Sequence, residues 1–242
     1  MALSRVGIVC ALASEARHLG RATLKCEPFA TLADGTLLAV TGMGEGAAAS
    51  GARALIGAGA TALASWGMAG GLDPALTAGT ILLPEEVIHM DGRRVATAPG
   101  WRQRLAQALA SQRPQAEGRL LSSPKAIGSA ALKASVYRAT GAVAVDMESF
   151  AVGEAAAACQ LPFMTVRVVV DSAADDLPEA VTRAADEEGH LHLWRLIAAL
   201  ARTPAELAPV LRLARRYRAA NRSLALVARL GPFSNITDSA HP

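Results

Sequence analysis

The chain has 242 residues, of which 52% are hydrophobic, 19% charged and 4% aromatic. This length is enough for one large or two small domains, and the scarcity of aromatic residues means that Ala, Leu and Val build the core. The formal net charge of +3 is too small to indicate a nucleic-acid partner, and an ordinary basic surface is favoured.

The cysteines and histidines give no metal or disulfide signature. Cys10, Cys26 and Cys159 are odd in number and widely spaced, without a Cys-x-x-Cys pair. This argues against a disulfide framework or a zinc site and favours a reducing, cytoplasmic compartment. His190 and His192 are two positions apart and would face different ways on a helix. We therefore expect neither a metal nor a cofactor.

Predicted strands and helices alternate along most of the chain. Strands are predicted at 6–11, 60–66, 80–83, 119–122, 143–145 and 163–170, and helices at 47–56, 101–111, 147–159 and most of 178–230, with breaks near Pro204 and Pro209. Residues 31–41 form a predicted hairpin, because Asp34-Gly35 between two apolar runs suits a type I′ turn. The alternation predicts an α/β fold. We expect a single-domain three-layer α/β/α structure at 1–230, with a central mixed, mainly parallel twisted sheet, followed by a flexible tail at 231–242.

Two segments resemble membrane signals. Residues 6–13 follow a basic residue and are apolar, like a short signal peptide, and a secreted binding protein is the corresponding alternative. We favour a buried first strand, because the run is short and leads directly into Glu15. Residues 54–72 carry no charge, but their glycines favour a helix end, a strand and a tight turn at 67–72 over a transmembrane helix.

Acidic residues follow several of the predicted strands. Asp146 and Glu148 come after the strand at 143–145, Asp171 ends the strand at 163–170, and Glu15 follows the first strand. Ligands of α/β sheets gather at the carboxyl ends of strands. The pattern suits a site that holds hydroxyl groups and donates a proton, although an isolated Glu at a helix start is usually a surface residue.

Two glycine-rich segments lie at predicted strand ends. The segment 42–46 reads Gly-x-Gly-x-Gly, which differs from the fingerprint of dinucleotide-binding folds, and a tight turn is about as well supported as a ligand loop. The small residues of 67–72 would let a ligand approach the backbone, or would only allow close packing.

Arg167 interrupts an otherwise apolar strand. Strict alternation would put residues 167, 169 and 171 on one face of that strand. A buried arginine requires a carboxylate partner. Arg167 either belongs to a structural ion pair or orients an acid or a ligand, and the nearby Asp171 favours the second interpretation.

Five ordered segments carry a resemblance to a known family. They are Gly7–Ala11 with Glu15, Thr41–Gly44, Gly67–Leu72, Val145–Ser149, and Arg167–Asp171. They resemble the superfamily of purine nucleoside phosphorylases and methylthioadenosine/adenosylhomocysteine nucleosidases across roughly residues 5–200. The Val-Asp-Met-Glu-Ser form, residues 171–178 and the Arg-, Leu- and Ala-rich C-terminus look most like the hopanoid-associated branch. That branch is understood to remove adenine from adenosylhopane.

The resemblance implies a role for each matching residue. Asp171 would protonate purine N7, Glu15 would position the attacking water, and Glu148 would accept hydrogen bonds from the ribose hydroxyls. Met147 would pack on the sugar, and Arg167 would support the site. The other implied substrate-binding residues are Met43, Gly44, Met68, Ala69, Gly70, Ala126 and Ile127.

Departures from the family pattern favour water over phosphate as the nucleophile. Phosphorolytic members carry an Arg where this chain has Ser65 and a Ser or Thr where it has Met68, so the guanidinium and the hydroxyl that grip phosphate at these two positions are both missing. Hydrolytic members carry a Glu at the position of Glu15. Phosphorolysis of the same substrate, and hydrolysis of methylthioadenosine, adenosylhomocysteine or futalosine, are the enzymatic alternatives. Ala126 replaces the aromatic residue that stacks on adenine, which leaves the base selectivity open.

The sequence also bears on three kinds of partner: a small molecule, further copies of the chain and a membrane. We expect the small-molecule partner to be a purine nucleoside with an apolar, lipid-linked 5′ substituent. A homo-oligomer is the default expectation in this superfamily. The C-terminal run 209–230 predicts a basic amphipathic helix, which we interpret as an outer helix of the globule. Contact with the inner face of an anionic membrane is the alternative. A purine-binding or membrane-associated module without catalysis is the alternative to an enzyme.

Overall fold

The computed structural model describes residues 5–20, 28–112, 115–177, 202–203, 205, 207–231 and 233. Of the sequence predictions, the helical region at 178–201 and all but two residues of the tail at 231–242 lie outside these residues.

The elements alternate as predicted. The strands are β1 (Val6–Cys10), β2 (Ala30–Thr31), β3 (Leu37–Val40), β4 (Ala62–Gly71), β5 (Ile81–Leu82), β6 (Glu86–His89), β7 (Arg94–Ala96), β8 (Gln115–Ala116), β9 (Arg119–Ser122), β10 (Ala142–Asp146) and β11 (Phe163–Asp171). The helices of the described residues are α1 (Ala13–Ala16), α2 (Glu45–Gly57), α3 (Pro99–Leu109), α4 (Ala130–Thr140), α5 (Ser149–Ala158) and α6 (Leu207–Arg229).

One sheet contains all of these strands. Its main path is β2-β3-β1-β4-β10-β9-β6-β7, while β11 pairs with β4 and β5, and β5 pairs with β8. Six of the ten strand pairs are parallel and four are antiparallel. The predicted mixed, mainly parallel sheet is confirmed.

Helices cover both faces of the sheet. Since side chains alternate along a strand, Ile8 and Val9 of β1 point to opposite faces. Ile8 belongs to a core cluster with α3 and α6, which includes Leu105 and Leu224, whereas Val9 belongs to a cluster with α2 and α5, which includes Leu55. The two clusters confirm the predicted three-layer, single-domain α/β/α architecture.

The strand β4 differs from its prediction. Residues 67–71 continue the strand instead of forming the predicted turn. The first half of β4 pairs with β1 through Trp66, and Gly70 and Gly71 then pair with β10. Pairing with β10 holds these glycines in the sheet. At Gly71 a side chain would not fit, because a Cβ atom there would lie 2.8 Å from the backbone oxygen of Asp171.

The hairpin of β2 and β3 is confirmed, but its turn type is not. The amide of Gly35 donates to the carbonyl of Leu32 at 3.0 Å, and Asp34 Oδ1 accepts from Thr36 N at 3.0 Å. A type I′ turn needs positive φ at two consecutive residues, and only Gly35, with φ of 86°, has it in this loop. The backbone of Asp34 is not left-handed, and its side chain instead accepts a hydrogen bond within the loop.

The sequence reading missed the strands β6, β7 and β8 and the helix α4. The strands are two to four residues long. Helix α4 carries both boundary signals: the hydroxyl of Ser129 accepts from Leu132 N, and Gly141 ends the helix with a left-handed φ of 65°. The predicted break at Pro209 is wrong, since Pro209 lies in the first turn of α6, where its missing N–H is not needed. No helix of the described residues is both long and apolar enough to cross a bilayer.

Two glycines of α2 provide a matched test of this packing. A Cβ atom at Gly51 would lie 2.3 Å from Thr41 Cγ2, whereas one at the exposed Gly57 would meet nothing within 4 Å. Because overpacking typically costs about 1–3 kcal/mol, we expect Gly51→Ala to lower the free energy of unfolding by that amount. Gly57→Ala should raise it by about 0.5 kcal/mol. Urea unfolding of both variants checks this, and equal effects would contradict the packing.

Candidate active site

A cavity of about 280 Å³ opens where β1, β10 and β11 end, beside the second half of β4. Its lining residues are Ala11, Leu12, Glu15, Met43, Met68, Ala69, Gly70, Lys125, Ala126, Ile127, Val145, Asp146, Met147, Glu148, Val170, Asp171, Leu177 and Tyr217. Most of these residues are apolar, and the acidic ones are buried.

Glu15 is held at the end of β1 by backbone donors. The short helix α1 turns the side chain back, so that its Oε1 accepts from Met68 N at 2.9 Å and its Oε2 accepts from Leu12 N at 3.3 Å. A Cβ atom at Gly67 would lie 2.9 Å from both carboxylate oxygens, so only glycine leaves room for Glu15. Burial raises the pKa of Glu15, and the Arg167 guanidinium partly offsets this.

Glu148 is the residue that precedes α5, and two backbone amides hold its carboxylate. Gly44 N donates to its Oε1 at 2.8 Å, and Met147 N donates to its Oε2 at 3.3 Å. The φ of Gly44 is 97°, a left-handed value that favours glycine. Burial, followed by the neighbouring Asp146 carboxylate, raises the pKa of Glu148 to about 7.

Asp171 ends β11 and forms an ion pair with Lys133 of α4. The Lys133 side chain has no exposed surface, and its ammonium also donates to the carbonyl oxygens of Ser172 and Asp175, both at 3.0 Å. Burial raises the pKa of Asp171, and the charge of Lys133 opposes this shift.

Arg167 is buried behind the cavity and is not one of its lining residues. Its Nε and Nη2 donate to Asp146 Oδ2 at 2.8 and 2.7 Å, and Nη2 also donates to Ser65 Oγ at 2.7 Å. The predicted carboxylate partner therefore exists, but it is Asp146 and not Asp171. Val166 and Val168 belong to one core cluster and Val170 packs against it, which agrees with the predicted common face of residues 167, 169 and 171, although the register against β4 shifts between Val169 and Asp171.

The structure brings ten of the twelve predicted site residues to the cavity lining. The other two contribute from behind it: Gly44 through its amide on Glu148, and Arg167 through Asp146. The chemical roles of these residues remain predictions.

Sequence reasoning missed several residues of the site. Lys133 and Tyr217 lie on α4 and α6 and come close to Asp171 or the cavity only through tertiary packing. The side chain of Asp146 belongs to the strand end that was singled out, but it received no role. Its Oδ1 is buried and has no hydrogen-bond partner among the described residues. No group of three or more His, Cys, Asp or Glu residues in the described part of the chain is arranged to hold a metal ion.

Comparison with known families shows the superfamily to which the chain belongs. The profile described as the phosphorylase superfamily matches residues 5–203. The chain belongs to the phosphorylase superfamily. The predicted enzyme class, that of nucleosidases and nucleoside phosphorylases, is thereby confirmed. No curated protein matches the sequence.

Solved structures of nucleosidases share the fold. A variant of the Helicobacter pylori methylthioadenosine nucleosidase, with 5′-methylthioadenosine in its active site, is 15% identical, with a TM-score of 0.68 over 95% of this chain and 99% of that one. The Neisseria meningitidis methylthioadenosine/adenosylhomocysteine nucleosidase, in complex with methylthio-immucillin-A, is 20% identical, with a TM-score of 0.65 over 93% and 98%. The Helicobacter pylori futalosine hydrolase is 16% identical, with a TM-score of 0.65 over 95% and 98%.

The raised pKa of Glu148 predicts a pH-dependent stability. Since the carboxyl titrates near 7 in the folded protein and near 4.5 when unperturbed, the unfolded chain loses this proton first. The contribution of Glu148 to the free energy of unfolding therefore falls as pH rises from about 4.5 to about 7, by up to about 3 kcal/mol, and is level above that.

We therefore expect Glu148→Gln to be progressively more stable relative to the unmodified protein across this window, as measured by urea unfolding at each pH. Glu154→Gln, which changes an exposed glutamate of the same helix α5, is the matched control and should show no such trend. Parallel stability curves for Glu148→Gln and the unmodified protein would contradict the burial of an ionisable Glu148.

Proposed function

We propose that the protein hydrolyses the N-glycosidic bond of a purine nucleoside. The observation that carries this proposal is the convergence of Glu15, Glu148 and Asp171 on one cavity from three distant segments. Each carboxyl group is buried and anchored, and each has a raised pKa, with burial as the largest cause. Buried titratable groups that share a cleft are typical of catalytic sites.

Each carboxyl group fits one need of the reaction. Breaking the bond leaves positive charge on the sugar and negative charge on the departing base. A protonated Asp171 gives its proton to N7 of the base, so the bonding electrons leave on a neutral purine. Ionised Glu148 accepts the 2′- and 3′-hydroxyls and stabilises the cationic sugar. Glu15 takes the proton of the attacking water.

The surroundings of Glu15 favour water over phosphate. The amide of Met68, a donor that could have met an anion, is already used by Glu15. Arg167 is engaged with Asp146 and Ser65, so its guanidinium is not free to grip a phosphate. The negative charge of Glu15 would also repel that anion.

For the substrate we propose adenosylhopane, which would yield ribosylhopane. The resemblance to the hopanoid-associated branch supports this choice, as does the apolar lining near the sugar, which includes Leu12, Met43 and Met68. Methylthioadenosine, adenosylhomocysteine and futalosine are the runner-up substrates, because structures of nucleosidases and hydrolases named for them share the fold.

Helix α6 supports an approach to a membrane-borne substrate from the cytoplasmic side. Its second half is an ordinary outer helix, with Leu224 and Val227 in the core. Its first half exposes Leu207 and Leu211, each 51% accessible, beside the exposed Arg212. An apolar and basic helix segment of this kind can rest on an anionic bilayer.

We further propose that the protein forms a homo-oligomer, as is common in the superfamily.

The proposal is tested by incubating the purified protein with each nucleoside, with and without phosphate. Free adenine or hypoxanthine, separated by liquid chromatography, reports turnover, and adenosylhopane should give the largest kcat/KM. Release that requires phosphate would replace hydrolysis by phosphorolysis. Binding of every nucleoside without release of base would favour a purine-binding module.

We expect Asp171→Asn to lower kcat by about 10²–10⁴-fold, because the amide cannot supply the proton that the purine needs. Because the amide oxygen of Asn can still accept a hydrogen bond from Lys133, we expect the variant to fold with lowered stability, which circular dichroism and urea unfolding check. Base release at saturating substrate checks this, with Asp91→Asn on the exposed turn between β6 and β7 as the control. Near-normal turnover of Asp171→Asn would remove this residue from the mechanism.

A further inference from the structure

Lys133 is the most deeply buried cation next to the cavity. It lies on α4, its side chain has no accessible surface, and its ammonium donates to the Asp171 carboxylate, Ser172 O and Asp175 O. An ammonium has three N–H groups, so these three acceptors use all of them. The nitrogen is therefore fixed in position.

Such a placement is costly for structure alone. Lysine is almost never fully buried unless it is paired, and an apolar pair of similar volume is often as stable as a buried ion pair. The other cations described near the cavity differ: Arg216, opposite Asp175, keeps some exposed surface, and Arg167 pairs with Asp146. Among the described carboxylates, Lys133 pairs with Asp171.

The contact of Lys133 leaves one oxygen of Asp171 for a ligand. Lys133 binds Oδ2. The other oxygen, Oδ1, lies 3.2 Å from the position that a Cβ atom would take at Gly70, and Gly70 lines the cavity. Lys133 therefore holds the carboxyl group by Oδ2, and Oδ1, on the side of Gly70, is the oxygen that remains for a ligand in the cavity.

We propose that Lys133 is a positioning residue for Asp171, which aims Oδ1 at the base and stabilises the carboxylate that remains after the proton is given away. This inference rests on the proposed role of Asp171 as the acid. During the reaction the Asp171 O–H bond breaks as the N7–H bond forms, and the C1′–N9 electron pair passes into the purine. Water adds to C1′ and gives its proton to Glu15. Asp171 is reprotonated and Glu15 deprotonated through solvent.

The charges that face Asp171 determine the expected pH dependence. Lys133 approaches from α4, and Asp175 from the following loop, where it pairs with Arg216 of α6. Lys125, after β9, lines the same cavity. Without Lys133, the nearest charge is the negative Asp175, so the pKa of Asp171 rises further and the acid becomes weaker.

The test compares Lys133→Met with the unmodified protein on two kinds of riboside. With the best purine nucleoside, we expect kcat to fall by about 10–100-fold, since part of the general-acid contribution is lost, while KM changes by less than about threefold. The alkaline limb of the pH profile should move upward by about one pH unit or more. A 4-nitrophenyl β-riboside, whose leaving group departs as a stable anion, should lose little.

Controls separate this role from a structural one. Arg138→Met removes an exposed cation of the same helix α4 and should change none of these quantities. If Lys133→Met does not fold, Lys133→Gln, which keeps a donor but no charge, is measured in the same way. Equal losses on both ribosides, or an unmoved alkaline limb, would overturn the inference.

A direct titration separates this inference from the proposed function. Carbon-13 NMR of the Asp171 carboxyl group, assigned with Asp171→Asn, follows its ionisation in the free protein and needs no turnover. Lys133→Met should move the titration to higher pH, and an unchanged titration would overturn the role of Lys133. An unmodified protein that releases no base would refute the nucleosidase proposal, while the titration would still decide the effect of Lys133 on Asp171.

Discussion

The site depends on keeping three carboxyl groups buried in one small cavity without unfolding the protein. A buried carboxylate is tolerated only where hydrogen bonds and cations replace the lost water. Glu15 and Glu148 rely chiefly on backbone amides, from Met68, Leu12 and Gly44. Asp171 relies on Lys133 instead. These different anchors give each group its own protonation behaviour within one cavity.

A network of hydrogen bonds behind the cavity holds the elements of the site in fixed relative positions. Arg167 joins β11 to Asp146 of β10 and to Ser65 of β4. Ser65 Oγ also accepts a hydrogen bond from Ser149 Oγ, at the start of α5. The residue before that helix is Glu148, so the same polar network that neutralises a buried arginine also fixes the helix end that presents this carboxyl group to the cavity.

Much of this arrangement could be predicted from the order of strands and acids. Glu15, Glu148 and Asp171 each follow an apolar strand, and the carboxyl-end rule placed them at one edge of the sheet. The irregularity before Asp171 has no local signal, since Val168, Val169 and Val170 form an unbroken apolar run. Lys133 was missed for another reason: a lysine on a helix usually faces solvent, and its burial follows only from where α4 packs. The glycines of β4 were read as a turn, because glycine is rare inside strands.

The path of β4 also sets how far apart two of the buried acidic groups are anchored. Glu15 lies against Gly67 and Asp171 lies against Gly70, so the two groups flank positions three residues apart on one extended strand. At roughly 3.3 Å per residue, that interval spans about 10 Å. A strand that is paired on both edges can hardly lengthen or shorten, so this interval is a fixed dimension of the cavity. A nucleoside that meets both Glu15 and Asp171, as proposed above, has to fit it, whereas the loops around the cavity are free to vary.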